Sequence, residues 1–342
     1  MTWLPLLLAD PSPCLRWLVL HELLGRPEDD PEVRELVDLR EADPLVAPLL
    51  AAQEADGAWR RGDLAWHGDA QRMTMLALMR LAYLGFGPEH PAVARGATYL
   101  FSCRRDDGAW GPPRSYQESD DNEGYSMVPL QTALPLRALA MCGYAADPRS
   151  ERAYQWLMAR RLEDGAWPTG AAGGGTYGYV AGYRKMPHSR WGCRSTTTGV
   201  LLCLAHHPER RAGPEARRAL DLLLGRETRE VSSLGFEVSR LIGATPTRGF
   251  MTYYGRFDLA QILDLAWRIG ATLSDARVAD VLTFVQGLQG EYGLWDVDPP
   301  QASRWVTFDL LRSLSRLDRT GDWVTYEPRT PFQTYPKRPQ RY

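Results

Sequence analysis

The chain has 342 residues, 44% of them hydrophobic and 24% charged, with a formal net charge of −2. This is enough apolar material for a substantial core, and the near-zero charge argues against a dedicated nucleic-acid binder. The five cysteines form no CxxC pair, which fits a reduced, cytoplasmic setting.

The first ten residues lack a basic stretch, and their apolar run is too short for a signal peptide or membrane span. Peripheral contact with a membrane stays open, since apolar substrates are often drawn from a bilayer. An apolar helix is expected over 13–24, with Ser12 as its cap. From there two kinds of helix alternate. Charged amphipathic patterns run over 30–39, 90–105, 148–161, 214–226 and 275–289. Their apolar residues recur at three- and four-residue steps, as on helices with one solvated face. Between them lie runs apolar on most faces, over 71–84, 131–140, 195–204, 258–267 and 303–312. Such helices are buried on most faces. No strand-period segment of convincing length occurs. Alternating outer and inner helices form stacked hairpins, and about six pairs can close into a ring. The expectation is an all-α single domain over 1–325, with residues 1–40 as capping helices. The Pro-rich basic tail over 326–342 should run along the surface or lack order.

Four helical runs end in one turn: Gln53-Glu-Ala-Asp-Gly57-Ala-Trp59, Arg104-Arg-Asp-Asp-Gly108-Ala-Trp110, Arg161-Leu-Glu-Asp-Gly165-Ala-Trp167 and Gln289-Gly-Glu-Tyr-Gly293-Leu-Trp295. Their glycines are 51, 57 and 128 residues apart, so the last interval holds two periods and one turn without its signature. Gly supplies the left-handed geometry that ends a helix. Asp before it favours the turn, and Trp gives a flat packing surface. The Gln or Arg is placed to reach the last helix carbonyls.

This Q-x-x-x-G-x-W repeat resembles the signature of squalene-hopene and oxidosqualene cyclases. The broader pattern is similar to the β subunits of protein prenyltransferases. The likeness covers roughly 45–317 and is sharpest at Gln53–Trp59 and Gln289–Trp295. It implies an (α/α)6 barrel, or toroid, with a polyisoprenoid held between the inner helices. Two departures matter. Class II cyclases protonate an alkene with the central Asp of D-x-D-D-T-A at an inner-helix start. The similar stretch here, Val128-Pro129-Leu130-Gln131-Thr132-Ala133, has no acid; the nearest are Asp120, Asp121 and Glu123. The prenyltransferase zinc site pairs an Asp with a Cys two residues on and a later His. Here Trp191 stands two residues before Cys193, and no His follows His207. No metal site is expected, because zinc needs three or four ligands.

The inner-helix starts are the candidate positions for chemistry, since they offer free amides and a positive dipole end. Arg194, Arg256 and Arg304 sit there and could grip a diphosphate; equally, each could pair with Asp258, Asp296 or Asp298. Asp258 could be a buried proton donor or an N-cap. Asp120 and Asp121 could act at the mouth, or hold Mg²⁺ against a diphosphate, or form a solvated acidic loop. Trp191, Tyr253, Tyr254 and Trp305 could stabilise a carbocation or pack the core. The leading functional expectation is a terpene-cyclase-like enzyme that cyclises or rearranges a polyisoprenoid. The alternatives are a zinc-less prenyl-diphosphate transferase and a non-catalytic lipid- or protein-binding toroid. No cofactor is expected beyond Mg²⁺ with a diphosphate, and the oligomeric state is open.

Overall fold

The computed structural model describes residues 2–61, 69–111, 129–169, 185–186, 188–225, 232–245 and 257–318. Its helices, in chain order, are α1 (Trp3–Leu8), α2 (Pro13–Leu18), α3 (Pro31–Leu39), α4 (Ala47–Ala52), α5 (Ala70–Tyr83), α6 (Pro91–Ser102) and α7 (Pro129–Leu139). They continue with α8 (Pro148–Met158), α9 (Arg194–Ala205), α10 (Pro214–Leu224), α11 (Phe236–Leu241), α12 (Leu259–Ile269), α13 (Ala276–Gly287) and α14 (Ser303–Arg316). A wider helical turn, Val19–Leu23, prolongs α2. The named strands among the described residues are a two-residue parallel pair, Ser232–Ser233 with Phe257–Asp258. The fold is all-α, as expected.

The local signals explain the starts. Pro13, Pro31, Pro91, Pro148 and Pro214 each open a helix, where a fixed φ suits the first position and no amide proton is missed. Ser12, Asp30, Asp69, Asp147, Asp258 and Asp275 accept amide hydrogen bonds as N-caps.

Helices apolar all round lie inside. α5 packs on α7, α7 on α9, α9 on α12, α12 on α14, and α14 on the Val19–Leu23 turn. The circle closes where Trp17 of α2 lies under Gly85, just past α5, and Arg40 donates to the Gly85 carbonyl at 3.0 Å. Outside this ring α3, α6, α8, α10 and α13 pack on α2, α5, α7, α9 and α12 respectively. The expected closed α/α ring is therefore present. Residues 2–40, expected as a cap, instead complete it.

The four Gly-x-Trp turns share one construction. Gly57, Gly108, Gly165 and Gly293 have φ of +87°, +99°, +98° and +79°. A Cβ on Gly57 or Gly108 would lie 2.4 or 2.7 Å from the carbonyl oxygen of Arg95 or Arg152, so each turn seats on the next outer helix. A Cβ on Gly293 would meet Thr2 and Trp3 instead. α1 thus takes the place of the outer helix after α14. Each Trp Nε1 donates to a carbonyl ten residues back: Trp59 to Leu49, Trp110 to Leu100, Trp167 to Leu157 and Trp295 to Val285, at 2.7–2.9 Å. The indole, not the Gln or Arg, takes the last-turn carbonyl of the outer helix. Gln53 instead donates to the Gly57 and Ala92 carbonyls, tying the turn to α6. Each Trp backbone N–H donates to a buried threonine on the following inner helix: Thr74 (3.0 Å), Thr132 (3.2 Å), Thr197 (3.0 Å) and Thr307 (2.9 Å).

The turn without a signature follows α10. There the short helix α11 contacts both α5 and α14. Arg80 of α5 donates to the Leu241 carbonyl (2.7 Å), and Arg137 of α7 pairs with Glu237 (2.5 Å). Touching three inner helices in this way places α11 within the ring.

Candidate functional site in the ring interior

The threonines orient the inner helices. At about 100° per residue, positions two, five and nine residues beyond each threonine lie on the opposite side. Since the threonines face the outer turns, those positions face the ring interior. On α5, α7 and α9 most are apolar, such as Met79, Leu134 and Leu202; the polar ones are Tyr83 on α5, Arg137 on α7, His206 at the end of α9, and Asp309, Arg312 and Arg316 on α14. Asp264, Trp267 and Arg268 of α12 join them through side-chain contacts.

The interior groups form one connected cluster. Arg268 Nε donates to Asp264 Oδ2 at 2.8 Å, and Trp267 Nε1 to Asp264 Oδ1 at 3.1 Å. Arg312 Nη2 lies 3.7 Å from Asp264 Oδ1 and hydrogen-bonds Asp309 Oδ1. Arg312 and Arg316 both reach Glu22, at 3.6 and 3.0 Å. One guanidinium therefore bridges two carboxylates on neighbouring inner helices.

Their environments push these two acids apart. Burial pushes Asp309 up to about 6, and the nearby Asp264 charge adds to this against the pull of Arg312. Burial also acts on Asp264, but Arg268 and Arg312 outweigh it and hold that carboxyl below the usual range. So Asp264 stays ionised where Asp309 can carry a proton near neutrality. Burial, reinforced by Arg268, holds His206 well below its ordinary value, so its imidazole is neutral. Burial and then Asp309 push the Tyr83 hydroxyl well above its ordinary value. The Tyr83 ring lies 5.9 Å from that of Trp305.

A second group surrounds α11. Glu237 accepts from Arg240 and Arg137 and is almost fully buried. Burial raises its carboxyl, but the two guanidiniums outweigh that and bring it to about 2. Asp258 caps two helices at once. It accepts from Ala260 N (3.2 Å) at the start of α12, and from Gly235 N (2.8 Å) and Glu237 N (2.7 Å) at the start of α11. Burial pushes it up to about 6 against those three amides.

The expected rim site is divided. Asp258 is buried and occupied by amides, which matches its capping alternative. Arg304 pairs with Asp10 at 3.1 Å, not with Asp258, Asp296 or Asp298. Arg194 opens α9 and is buried. Trp191 is 36% exposed, with the Arg190 guanidinium 5.1 Å above its ring. Trp305 faces the interior beside Tyr83. Asp120, Asp121, Tyr253, Tyr254, Arg256 and the tail lie outside the described residues. Among the described residues no group of three or more His, Cys, Asp or Glu is arranged to hold a metal ion, and no helix is long and apolar enough to cross a membrane. Asp264, Asp309 and Tyr83 were missed. For the two acids the signal is present as carboxylates within the apolar runs 258–267, which also starts with Asp258, and 303–312.

Residues 27–184 match the family model of the squalene-hopene cyclase C-terminal domain. A squalene–hopene cyclase from Bradyrhizobium diazoefficiens is 30% identical over 126 residues, or 36% of this chain. The matched stretch spans 18% of that relative. Among solved structures, a protein from Actinoplanes is 17% identical, with a TM-score of 0.44 over 89% of each chain. The type II terpene cyclase MstE from Scytonema is 16% identical, with a TM-score of 0.33 over 79% of this chain and 94% of that one.

Proposed function

We propose that this chain, a member of the terpenoid cyclase-like superfamily by its turns and its matched residues, is a terpene-cyclase-like enzyme. It takes a polyisoprenoid into the ring and cyclises or rearranges it by proton-initiated chemistry. The observation that carries this reading is the Asp264–Arg312–Asp309 arrangement on α12 and α14. A carboxyl that holds its proton to about pH 6, inside a closed ring, can protonate an alkene. The ionised Asp264 and the faces of Trp305 and Tyr83 then stabilise the cation that forms. Asp258 acts by fixing α11 against the start of α12. The relation to squalene–hopene cyclases supports an isoprenoid substrate.

The test is incubation with farnesyl, geranylgeranyl and squalene-type substrates, with product analysis, for the wild type, Asp309→Asn and Asp258→Asn. Turnover should fall by two or more orders of magnitude in Asp309→Asn, the usual scale for a general acid. Asp258→Asn should lose activity in step with its loss of stability. Wild-type turnover retained in Asp309→Asn would remove that residue from the mechanism. A second reading, a ring that binds lipid without chemistry, draws on α11 occupying part of the interior. It predicts binding of the same chains with no product from any of them.

A further inference from the structure

The interior cluster contains two buried donors without an acceptor. Tyr83 Oη and Arg312 Nε have no hydrogen-bond partner, and both residues are more than nine-tenths buried. A buried hydroxyl or guanidinium N–H left unpaired costs free energy, so such pairs of orphans mark a place where another molecule supplies the acceptor. The charged groups acting on Tyr83 are, in order, Asp309, Arg312, Asp264 and Glu22. Both orphan donors therefore belong to one locality.

The charges there decide what can enter. Above about pH 6, where Asp309 is ionised, three guanidiniums, Arg268, Arg312 and Arg316, are matched by three carboxylates, Asp264, Asp309 and Glu22. A diphosphate would bring at least two more negative charges beside carboxylates already paired. An ammonium would meet guanidiniums already paired. His206 is neutral and adds no charge. What fits is an uncharged oxygen that accepts from Tyr83 Oη and Arg312 Nε. We propose that the ring interior recognises an isoprenoid bearing a neutral oxygen function, an alcohol or a carbonyl, through Tyr83 and Arg312. This deepens the polyisoprenoid reading and rests on it. Tyr83 is then a specificity residue, and it sets the oxygenated end of the chain near the Asp309 carboxyl.

The experiment measures equilibrium binding, not turnover, by quenching of tryptophan fluorescence in the full chain. Three probes of equal length serve: geranylgeraniol, geranylgeranyl diphosphate and the corresponding hydrocarbon without oxygen. In the wild type the alcohol should bind roughly three- to tenfold more tightly than the hydrocarbon, the range of one net neutral hydrogen bond. The diphosphate should bind more weakly than the alcohol. Tyr83→Phe should reduce the preference for the alcohol, leaving only the share that Arg312 Nε supplies, and leave hydrocarbon affinity unchanged. Equal binding of alcohol and hydrocarbon by the wild type overturns this inference alone, and that comparison needs no variant. Tightest binding by the diphosphate also overturns it. No binding by any probe removes the polyisoprenoid reading along with it.

Discussion

Replacing Thr74 by valine tests whether the threonines fasten the turns to the inner ring. Thr74 is fully buried, and its Oγ1 accepts the Trp59 backbone N–H at 3.0 Å. Valine has the same shape and volume, so packing is kept and the acceptor alone is lost. The Trp59 amide cannot turn to water, because Trp59 is also fully buried and its indole is held by the Leu49 carbonyl. An unsatisfied buried donor costs about 1–3 kcal/mol. The extra methyl group offsets part of this, leaving a net loss of about 1–2 kcal/mol. Urea unfolding followed by tryptophan fluorescence should show a lower midpoint at unchanged slope. Thr74→Ser keeps the oxygen and should cost about 1 kcal/mol or less, the loss of one methyl group. The Thr132, Thr197 and Thr307 substitutions should each behave alike and nearly add, since the sites are on separate helices. A neutral Thr74→Val beside a costly Thr74→Ser would refute the reasoning. It would mean that the methyl group, not the hydrogen bond, holds the turn.

The remaining predictions concern backbone, buried charge and pH. Gly57→Ala should cost several kcal/mol, because positive φ combines with a Cβ 2.4 Å from the Arg95 carbonyl oxygen. Gly270 has φ +88° and nothing within 4 Å of its Cβ position, so Gly270→Ala should cost only about 1 kcal/mol. Thermal melts of the two variants side by side separate the clash from the backbone strain. Glu237→Gln removes the buried carboxylate that Arg137 and Arg240 share and should destabilise by about 3–5 kcal/mol, read by urea midpoint. Asp309 has its folded value raised to about 6 from 3.8. Its contribution to stability is full below the unfolded value and is lost as pH rises through about 6. Asp258 acts in the same direction, whereas Glu237 and Asp264 contribute above the carboxylate range and lose that on acidification. Stability measured from pH 4 to pH 7 should therefore carry a falling component on the order of 2–3 kcal/mol from Asp309. Its disappearance in Asp309→Asn confirms the source, and an unchanged slope refutes it.

How much of this was legible in the sequence follows from which forces are local. Helix starts were readable because Pro at the first position and Asp at the cap act within one turn of chain, as at Asp147-Pro148 and Asp275. The ring was readable because four turns repeat the same residues, and each residue has a local or next-neighbour task. The task itself was only partly readable. Gln53 was expected to reach its own helix end, but the Trp59 indole occupies that carbonyl and Gln53 turns to Ala92, 39 positions on. The interior was hidden for a different reason. Asp264 and Asp309 are acids within apolar runs, and nothing within either helix marks them as facing each other through Arg312. Their pairing depends on which side of α12 and α14 faces inward. That side is set by Thr307 on α14, through a hydrogen bond to Trp295 twelve positions earlier. The threonines are thus the missing key. Once one residue on an inner helix is known to face outward, its helical period fixes which residues face inward. Arg194, Arg304 and Asp258 are conspicuous in sequence because they border Gly- and aromatic-rich stretches, but capping and ion pairs account for Asp258 and Arg304 locally. Asp264, Asp309 and Arg312 lie further along two of the same helices, α12 and α14. There a closed ring removes water, and burial can shift a carboxyl without any unusual residue nearby in the chain.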